Sequence, residues 1–266
     1  MSSIDAYCTR VLMGIRFHDV LVHLPAVGGG FAEHCDTAFG RGGWSAMTRD
    51  GAWAGYQWTS SDASSSVGVD FTGLRLDFRS PFPAALAADV KEYMSGVGGP
   101  VVSTTPRPLP ELAHALRERV RSHLDKLLGI VRATTVERIG VVAEFELPDR
   151  LLRDRYGVRL AALAGTREPG TLSEAVFQVQ TDLPERDDVA RAWIATLTRV
   201  ALTAAQEHRF SPSRTDPVSV LGLDYQERYK VPITVAASGR QNRSPGLASA
   251  CIALMDRAEG EWNASH

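Results

Sequence analysis

The segment from Gly28 to Gly43 concentrates the residue types that could do chemistry. It reads GGGFAEHCDTAFGRGG and holds six glycines, a Glu-His-Cys-Asp run and an arginine. A glycine loop that follows a strand and leads into a helix can cradle phosphate on its backbone N–H groups. This segment lacks the Gly-Lys-Ser/Thr ending of a P-loop and the spaced glycines of a dinucleotide-binding turn. The pattern therefore favours a flexible connector. The alternative is a ligand-binding lip in which His34 and Arg41 take part.

His34 and Cys35 are side chains that can ligate a metal or form a nucleophile–base pair. Consecutive residues point apart, so they rarely chelate one ion, and the chain has no Cys-x-x-Cys or His-x-x-x-His spacing elsewhere. A catalytic Cys35 would need a distant histidine beside it, which spacing cannot show. There is also no Gly-x-Ser-x-Gly nucleophile elbow. We therefore expect no metal, no cofactor and no catalytic residue, which favours a protein that is not an enzyme.

Acidic and polar side chains alternate along two predicted strands. Glu144 and Glu146 share one face of VERIGVVAEFEL, and paired carboxylates can supply acid–base chemistry. A solvent-facing strand edge is the simpler interpretation of this pair. Within it, Glu144 is the candidate ligand-binding residue. Asp224, Gln226 and Arg228 alternate in the same way on a later strand.

Two locally basic segments could contact nucleic acid, ALRERVRSHLDK from Ala115 and SGRQNRS from Ser238. Neither belongs to a recognised nucleic-acid-reading motif. Arg240 and Arg243 lie in a polar loop before a helix and could hold a phosphate there. The formal net charge of -2 gives no overall attraction to nucleic acid or to an anionic membrane. Nucleic acid is therefore a disfavoured partner that stays open, and no membrane partner is expected.

Strands are expected where apolar and polar residues alternate. In the segment from Leu74 to Arg79 the odd-numbered residues are charged and the even-numbered ones are apolar. This alternation indicates one covered and one solvated face, as in an antiparallel sheet. Further strands are expected within Tyr7–Leu24, Trp53–Thr59, Ser66–Asp70, Val136–Leu147, Val158–Leu163, Ala175–Thr181 and Pro217–Val235.

Helices are expected where apolar residues recur at three or four positions. The clearest runs from Leu109 to about Val131, with one apolar stripe at Leu112, Leu116, Val120, Leu124 and Leu127. The others are a short helix over Leu86–Tyr93, a long helix after Asp182 with Val189, Trp193, Leu197 and Val200 on its buried face, and a final helix over Leu247–Trp262.

These runs predict an α+β fold in which antiparallel sheets form two strand groups backed by long amphipathic helices. The Pro- and Gly-rich segment from Gly96 to Pro110 is the best internal boundary. It predicts an N-terminal unit of residues 1–105, an antiparallel sheet plus a helix. A C-terminal unit of residues 106–266 would hold a helix, the second strand group and the C-terminal helices. One continuous domain is the alternative.

Length and composition limit the classes of protein that the chain can belong to. Its 266 residues are enough for a sizeable core, and 44% hydrophobic and 23% charged residues are ordinary for a globular protein. Three scattered cysteines argue against a disulfide framework and fit a reducing compartment. The first residues do not predict a signal peptide, and the sequence holds no long apolar run. We therefore expect a soluble, cytoplasmic protein.

Four segments carry a resemblance to a known family. They are VLMGIRF, VGVDFTGLRLDFRSPFPAALAADVKEYM, VERIGVVAEFEL and VLGLDYQERYKV, in this order. Together they make the chain similar, over most of its length, to a sporadically distributed family of uncharacterised prokaryotic proteins. The family's Arg-Tyr-hydrophobic-Asn run after Glu-Arg-Ile-Gly is replaced here by Val141-Val142-Ala143-Glu144. The resemblance implies an α+β fold of about this size and assigns no catalytic residue.

The function favoured by these observations is binding or assembly. A chain with regular apolar stripes and no converging reactive side chains predicts a cytoplasmic binding protein with a protein partner or self-association. It could be an accessory component of a larger bacterial or phage-related system, in defence or on a mobile element. One alternative is an enzyme that acts on a small or phosphorylated metabolite near Gly28–Gly43. The other is an RNA- or DNA-binding module.

Overall fold

The structure is a computed structural model that describes residues 8–49, 52–61, 64–79, 108–147, 175–186, 188–200, 218–235 and 247–264. The described residues form nine strands and three helices: β1 (Cys8–Phe17), α1 (Leu24–Phe39), β2 (Gly42–Arg49), β3 (Ala52–Ser60), β4 (Ser65–Asp70), β5 (Gly73–Arg79), α2 (Leu109–Ile130), β6 (Thr135–Leu147), β7 (Ala175–Arg186), β8 (Val189–Val200), β9 (Val218–Thr234) and α3 (Leu247–Ala264).

All nine strands belong to one antiparallel sheet. Their order is β2-β3-β4-β5-β1-β6-β9-β8-β7. The antiparallel pairing is confirmed, whereas the predicted division into two strand groups is wrong. The physical reason is β1, which pairs with β5 on one side and with β6 on the other and so joins early and late strands. Alternation within a strand reports which face is covered, but not which strands are its neighbours.

The helices form a layer on one face of this sheet. Helix α1 packs on β2, β3 and β4, α2 on β1 and β5, and α3 on β6 and β9. Odd-numbered β1 residues such as Val11, Met13 and Ile15 point into this layer and are buried. The face opposite the helices is called the open face below, because no helix among the described residues packs on it.

The predicted backing by long helices of each strand group is also wrong. The residues after Asp182 form the β7–β8 hairpin and not a helix. Val189, Trp193 and Leu197 are four residues apart, and a spacing of four places side chains on one face of a helix and equally on one face of a strand. Their partners are Tyr229, Tyr225 and Leu221 of β9, on the helix-covered face. Pairing with β9 in the sheet is what makes this segment a strand and not a helix.

The glycine-rich segment is mostly helical, so the expected flexible connector is wrong. Helix α1 takes in Gly28 to Phe39, and Gly40, with φ of 89°, follows its last residue. A Cβ on Gly28 would lie 2.5 Å from the ring carbon Cζ of Tyr56. Glycine is therefore used here to let a helix approach a strand closely, and not to bend the chain.

Several predicted elements are confirmed. Helix α2 buries the predicted leucine and valine stripe, and β4 and β5 form a hairpin through Phe71 and Thr72. The predicted helix at Leu86–Tyr93, the strand at Val158–Leu163 and most of the Gly96–Pro110 segment lie outside the described residues. The boundary between residues 105 and 106 stays a prediction.

A buried acid attaches α3 to the sheet. Glu227 is only 3% exposed on the helix-covered side of β9. Arg257 of α3 donates two hydrogen bonds to it, at 2.7 and 2.8 Å, and the hydroxyls of Tyr225 and Tyr229 donate two more, at 3.2 and 3.1 Å. Burial raises the pKa of the Tyr229 hydroxyl, and the adjacent Glu227 raises it further. The network is fully paired, which favours a structural role.

None of the three described helices combines the length and apolar character that crossing a bilayer requires.

Candidate functional site

A groove runs across the open face of the sheet, at right angles to the strands. Its volume is about 870 Å³, within the usual range for a cavity that holds one small ligand. Seven neighbouring strands, from β2 to β9 in the sheet order, contribute to its lining. Six inter-strand steps of about 4.8 Å make this span about 29 Å.

Glycines form the floor of the groove. Four residues lie in one row across neighbouring strands, and three of them are glycines. In order they are Gly68 of β4, Arg75 of β5, Gly14 of β1 and Gly140 of β6. A Cβ on Gly14 would meet no atom of the described residues within 4 Å. Glycine in a strand often marks a place where a ligand approaches the backbone closely. The space above Gly14 is therefore open to a ligand.

Three arginines lie in register beside this floor and are called the arginine row. Arg16 of β1 is opposite Arg138 of β6, and Arg138 is opposite Arg228 of β9. All three alternate with residues that face the helices, so they project on the open face. Like charges directly opposite one another destabilise a sheet. The row is thus an arrangement that an anion would stabilise.

The arginine row is only partly compensated by protein acids. Arg16 Nε donates to Glu137 Oε1 at 3.0 Å. Among the described residues, Arg138 Nη1 donates to the neutral amide oxygen of Gln226, at 3.4 Å, and its charge acts on the Asp224 carboxyl without a hydrogen bond between them. Arg228 is exposed and makes no hydrogen bond or ion pair in the part of the chain that the structure describes.

Arg75 adds a fourth positive charge over the groove floor. Its side chain is exposed and, within the described ranges, has no hydrogen-bond or ion-pair partner. Its guanidinium Nη2 lies 3.6 Å from the position of a Cβ on Gly68. The glycine therefore leaves room for the guanidinium to lie over β4, free to meet a ligand.

Asp224 and Gln226 form the polar part of the groove wall on β9. Gln226 Nε2 donates to Asp224 Oδ2 at 2.5 Å. Burial raises the pKa of the Asp224 carboxyl, while the Gln226 hydrogen bond and the charge of Arg138 act against that rise. The carboxylate is thus a half-buried acceptor inside a positively charged groove.

Glu144, one of the predicted site residues, belongs to a neighbouring ion cluster on the same face. Arg10 binds Asp77 through two hydrogen bonds, at 2.8 and 2.7 Å, and donates to Glu144 Oε1 at 2.9 Å. Asp77 is 1% exposed, so its charge needs this partner. Strand β6 is central, so the expected edge position of Glu144 is wrong. The hydrogen bond to Arg10 gives the Glu144 carboxylate a structural role.

His34, in α1, lies on the other side of the sheet from Glu144. His34 is buried between α1 and α2, with its ring 5.6 Å from the ring of His123 and its Nε2 unpaired among the described residues. Arg41 is exposed just after α1. The structure therefore does not bring His34 and Glu144 together. Arg240 and Arg243 lie outside the described residues, and a ligand-binding role for these four stays a prediction.

Burial shifts the pKa values of His34 and Cys35 towards their uncharged forms. Burial lowers the pKa of His34 and of His123. The charge of Lys126 lowers the pKa of His34 further, and the charges of Arg119 and then Lys126 lower that of His123. Burial, with a smaller effect of Asp36, raises the pKa of the Cys35 thiol to about 12. A thiol in this state is a poor nucleophile. No group of three or more metal-ligating side chains occurs in the described ranges.

The residues that form the groove were only partly visible in the sequence. Arg75, Asp224, Gln226 and Arg228 follow the alternation of their strands, which predicted their common side but no common site. The pairing of β1, β6 and β9 lines up the arginine row, and local patterns do not contain that pairing. A signal that could have been used is the glycine inside each of two otherwise strand-like segments, Gly14 and Gly140.

No protein-family model matches this chain, and neither a curated protein nor a solved structure matches it.

Proposed function

We propose that this protein is a binding protein whose ligand carries phosphate or carboxylate groups and lies in the groove across the open face. The observation that carries the proposal is the arginine row, with Arg16, Arg138 and Arg228 opposite one another on neighbouring strands. Such a row is unfavourable without an anion, and guanidinium groups bind phosphate and carboxylate through paired hydrogen bonds. The open space above Gly14 gives the rest of the ligand a place to lie.

Inorganic pyrophosphate tests this proposal directly. Thermal unfolding is measured at low ionic strength with and without the anion, because a ligand that binds only the folded state raises the unfolding temperature. The Arg138→Gln and Arg228→Gln variants should lose most of the stabilisation. Arg121→Gln, which removes an equal charge from an ion pair with Glu118 on α2, should keep it. An absence of stabilisation in the wild type, or equal stabilisation in all variants, would contradict the proposal.

A second candidate function is self-association through a free edge of the sheet. The edge strands β2 and β7 each carry an uncharged stretch, Gly42–Thr48 and Ala175–Thr181. Unpaired edges without charges can add a strand from another chain. This candidate fits the assembly role, in a bacterial or phage-related system, that the sequence suggests. The mass of the protein in solution tests it, and a strictly monomeric protein at high concentration would exclude it.

A further inference from the structure

The arginine row and Asp224 lie on opposite margins of the same part of the groove. Arg228 and Asp224 are four residues apart on β9, which corresponds to about 13 Å along the strand. Gln226 lies between them, opposite Gly140 of the floor. A single ligand that lies over Gly14, next to Gly140, therefore meets a positive margin at one end and an acidic acceptor at the other.

A directed chain of hydrogen bonds connects the two margins. Arg138 donates to Gln226 Oε1, and Gln226 Nε2 donates to Asp224 Oδ2. This leaves Asp224 Oδ1, which lies 3.6 Å from the position of a Cβ on Gly140 and accepts no hydrogen bond from the described residues. A carboxylate oxygen only accepts, so a ligand at this point must supply an N–H or O–H donor.

The middle of the groove is suited to a flat and partly apolar body. Gly14 leaves open space among the described residues, whereas Gln226 Cγ lies 3.3 Å from the position of a Cβ on Gly140. The next residues on the same face of β1 and β6, Leu12 and Val142, are apolar and lie opposite each other. A ligand that fits all three parts has an anionic end, a flat body and an N–H or O–H donor at its far end.

We propose that the ligand is a nucleotide whose phosphates bind the arginine row and whose base donates an N–H hydrogen bond to Asp224 Oδ1. The inference rests on the proposed function and names the chemical class of the ligand. A single nucleotide is favoured over a nucleic-acid strand because the cavity has the volume of a small-ligand site and the whole chain has a net charge of -2.

The test compares ATP with inorganic tripolyphosphate by calorimetric titration in magnesium-free buffer. Both carry a chain of three phosphates, and only ATP has a base. The wild type should bind ATP at least about tenfold more tightly, because a hydrogen bond to a charged acceptor contributes that much. Asp224→Leu should bring ATP down to the affinity of tripolyphosphate without weakening tripolyphosphate. Asp125→Leu, the same change on α2, should alter neither.

Two further measurements keep the inference falsifiable. If the leucine variant does not fold, Asp224→Asn replaces it, because asparagine keeps a polar side chain in the groove wall. This variant should lose part of the preference for ATP. A single-stranded decanucleotide should bind no more tightly than ATP. Three results would each overturn the assignment of a nucleotide as the ligand. They are equal affinities of the wild type for ATP and tripolyphosphate, equal weakening of both by Asp224→Leu, and tight binding of the decanucleotide without ATP binding. If neither ATP nor tripolyphosphate binds, the proposed function itself fails.

Discussion

At the scale of single residues, the open face carries both ion-paired arginines and arginines without an ion pair among the described residues. Arg10 is enclosed by Asp77 and Glu144, so its charge is neutralised inside the protein. Arg75 and Arg228 lie exposed, without an ion pair in the described ranges. A sheet that needed only to fold would be more stable with polar β-forming residues in the arginine row. We infer that the row is kept for binding at a cost in stability.

The Arg228→Thr substitution should stabilise the ligand-free protein. It removes a like charge opposite Arg138 and introduces a residue with good strand propensity, so the free energy of unfolding should rise by a few tenths to about 1 kcal/mol. Urea unfolding at low ionic strength measures the change, and added salt should reduce it.

Lys230 provides the matched control on the same strand, because it forms an ion pair with Glu185. Lys230→Thr removes an attractive pair, so it should not stabilise the protein. Equal effects of the two substitutions would show that strand propensity, and not repulsion in the arginine row, is responsible.

At the scale of elements, α1 and α2 meet through a pair of histidines. His34 is 7% exposed, and its ring contacts the ring of His123 at 5.6 Å. Both rings have a lowered pKa, since burial disfavours the imidazolium and Lys126 repels it. Protonation of either histidine is therefore disfavoured in the folded protein.

This contact should make folding stability fall in mild acid. Below the ordinary histidine pKa of 6.5 the unfolded chain takes up protons that the folded protein does not, so the free energy of unfolding falls as the pH is lowered. The effect is absent well above pH 6.5, where the histidines are neutral in both states.

His34→Leu should reduce this loss of stability between pH 7.5 and pH 5. It replaces an imidazole whose Nε2 is unpaired, so the cost at pH 7.5 should be below about 1.5 kcal/mol. Urea midpoints at both pH values measure the change. His114→Leu, at an exposed histidine of α2 outside this contact, is the matched control and should change the pH dependence less than His34→Leu does. A pH dependence unchanged by His34→Leu would show that the buried pair does not carry it.

At the scale of the whole molecule, one sheet separates a helix-covered surface from a surface that carries the groove. The helix layer completes the hydrophobic core on one side, and the groove crosses the other side. The sheet ends in two free edges, β2 and β7, within the described residues. Ligand binding and self-association would therefore use different parts of the molecule and can be tested separately.

Edge-strand substitutions should identify the self-associating edge. We expect this edge to be β7, because it has 12 residues and β2 has 8. A lysine on an edge strand opposes pairing with another chain, so Val179→Lys should lower the mass in solution. Trp44→Lys, the matched change on β2, should leave the mass unchanged, and the opposite pattern would assign the interface to β2.

Local patterns predicted much of the architecture. The leucine stripe of α2, the alternation in β6 and the β4–β5 hairpin are confirmed, because each depends on interactions within a few neighbouring residues. In β5 the expected solvated face holds Asp77, which is buried against Arg10. The segments that failed are those in which a local pattern has two solutions. The four-residue spacing of Val189, Trp193 and Leu197 suits a helix and a strand alike, and the glycines of α1 favour a loop until Tyr56 is packed against Gly28.

The candidate site shows the same division. The sequence by itself determined which residues share a face of each strand, because side chains alternate along a strand with a period of two. Only the tertiary structure decided that β1 lies between β5 and β6, and this pairing places Gly14 beside Gly140 and Arg16 beside Arg138. Neighbouring strands in a sheet are chosen by contacts between residues far apart in the chain, which a local pattern does not encode.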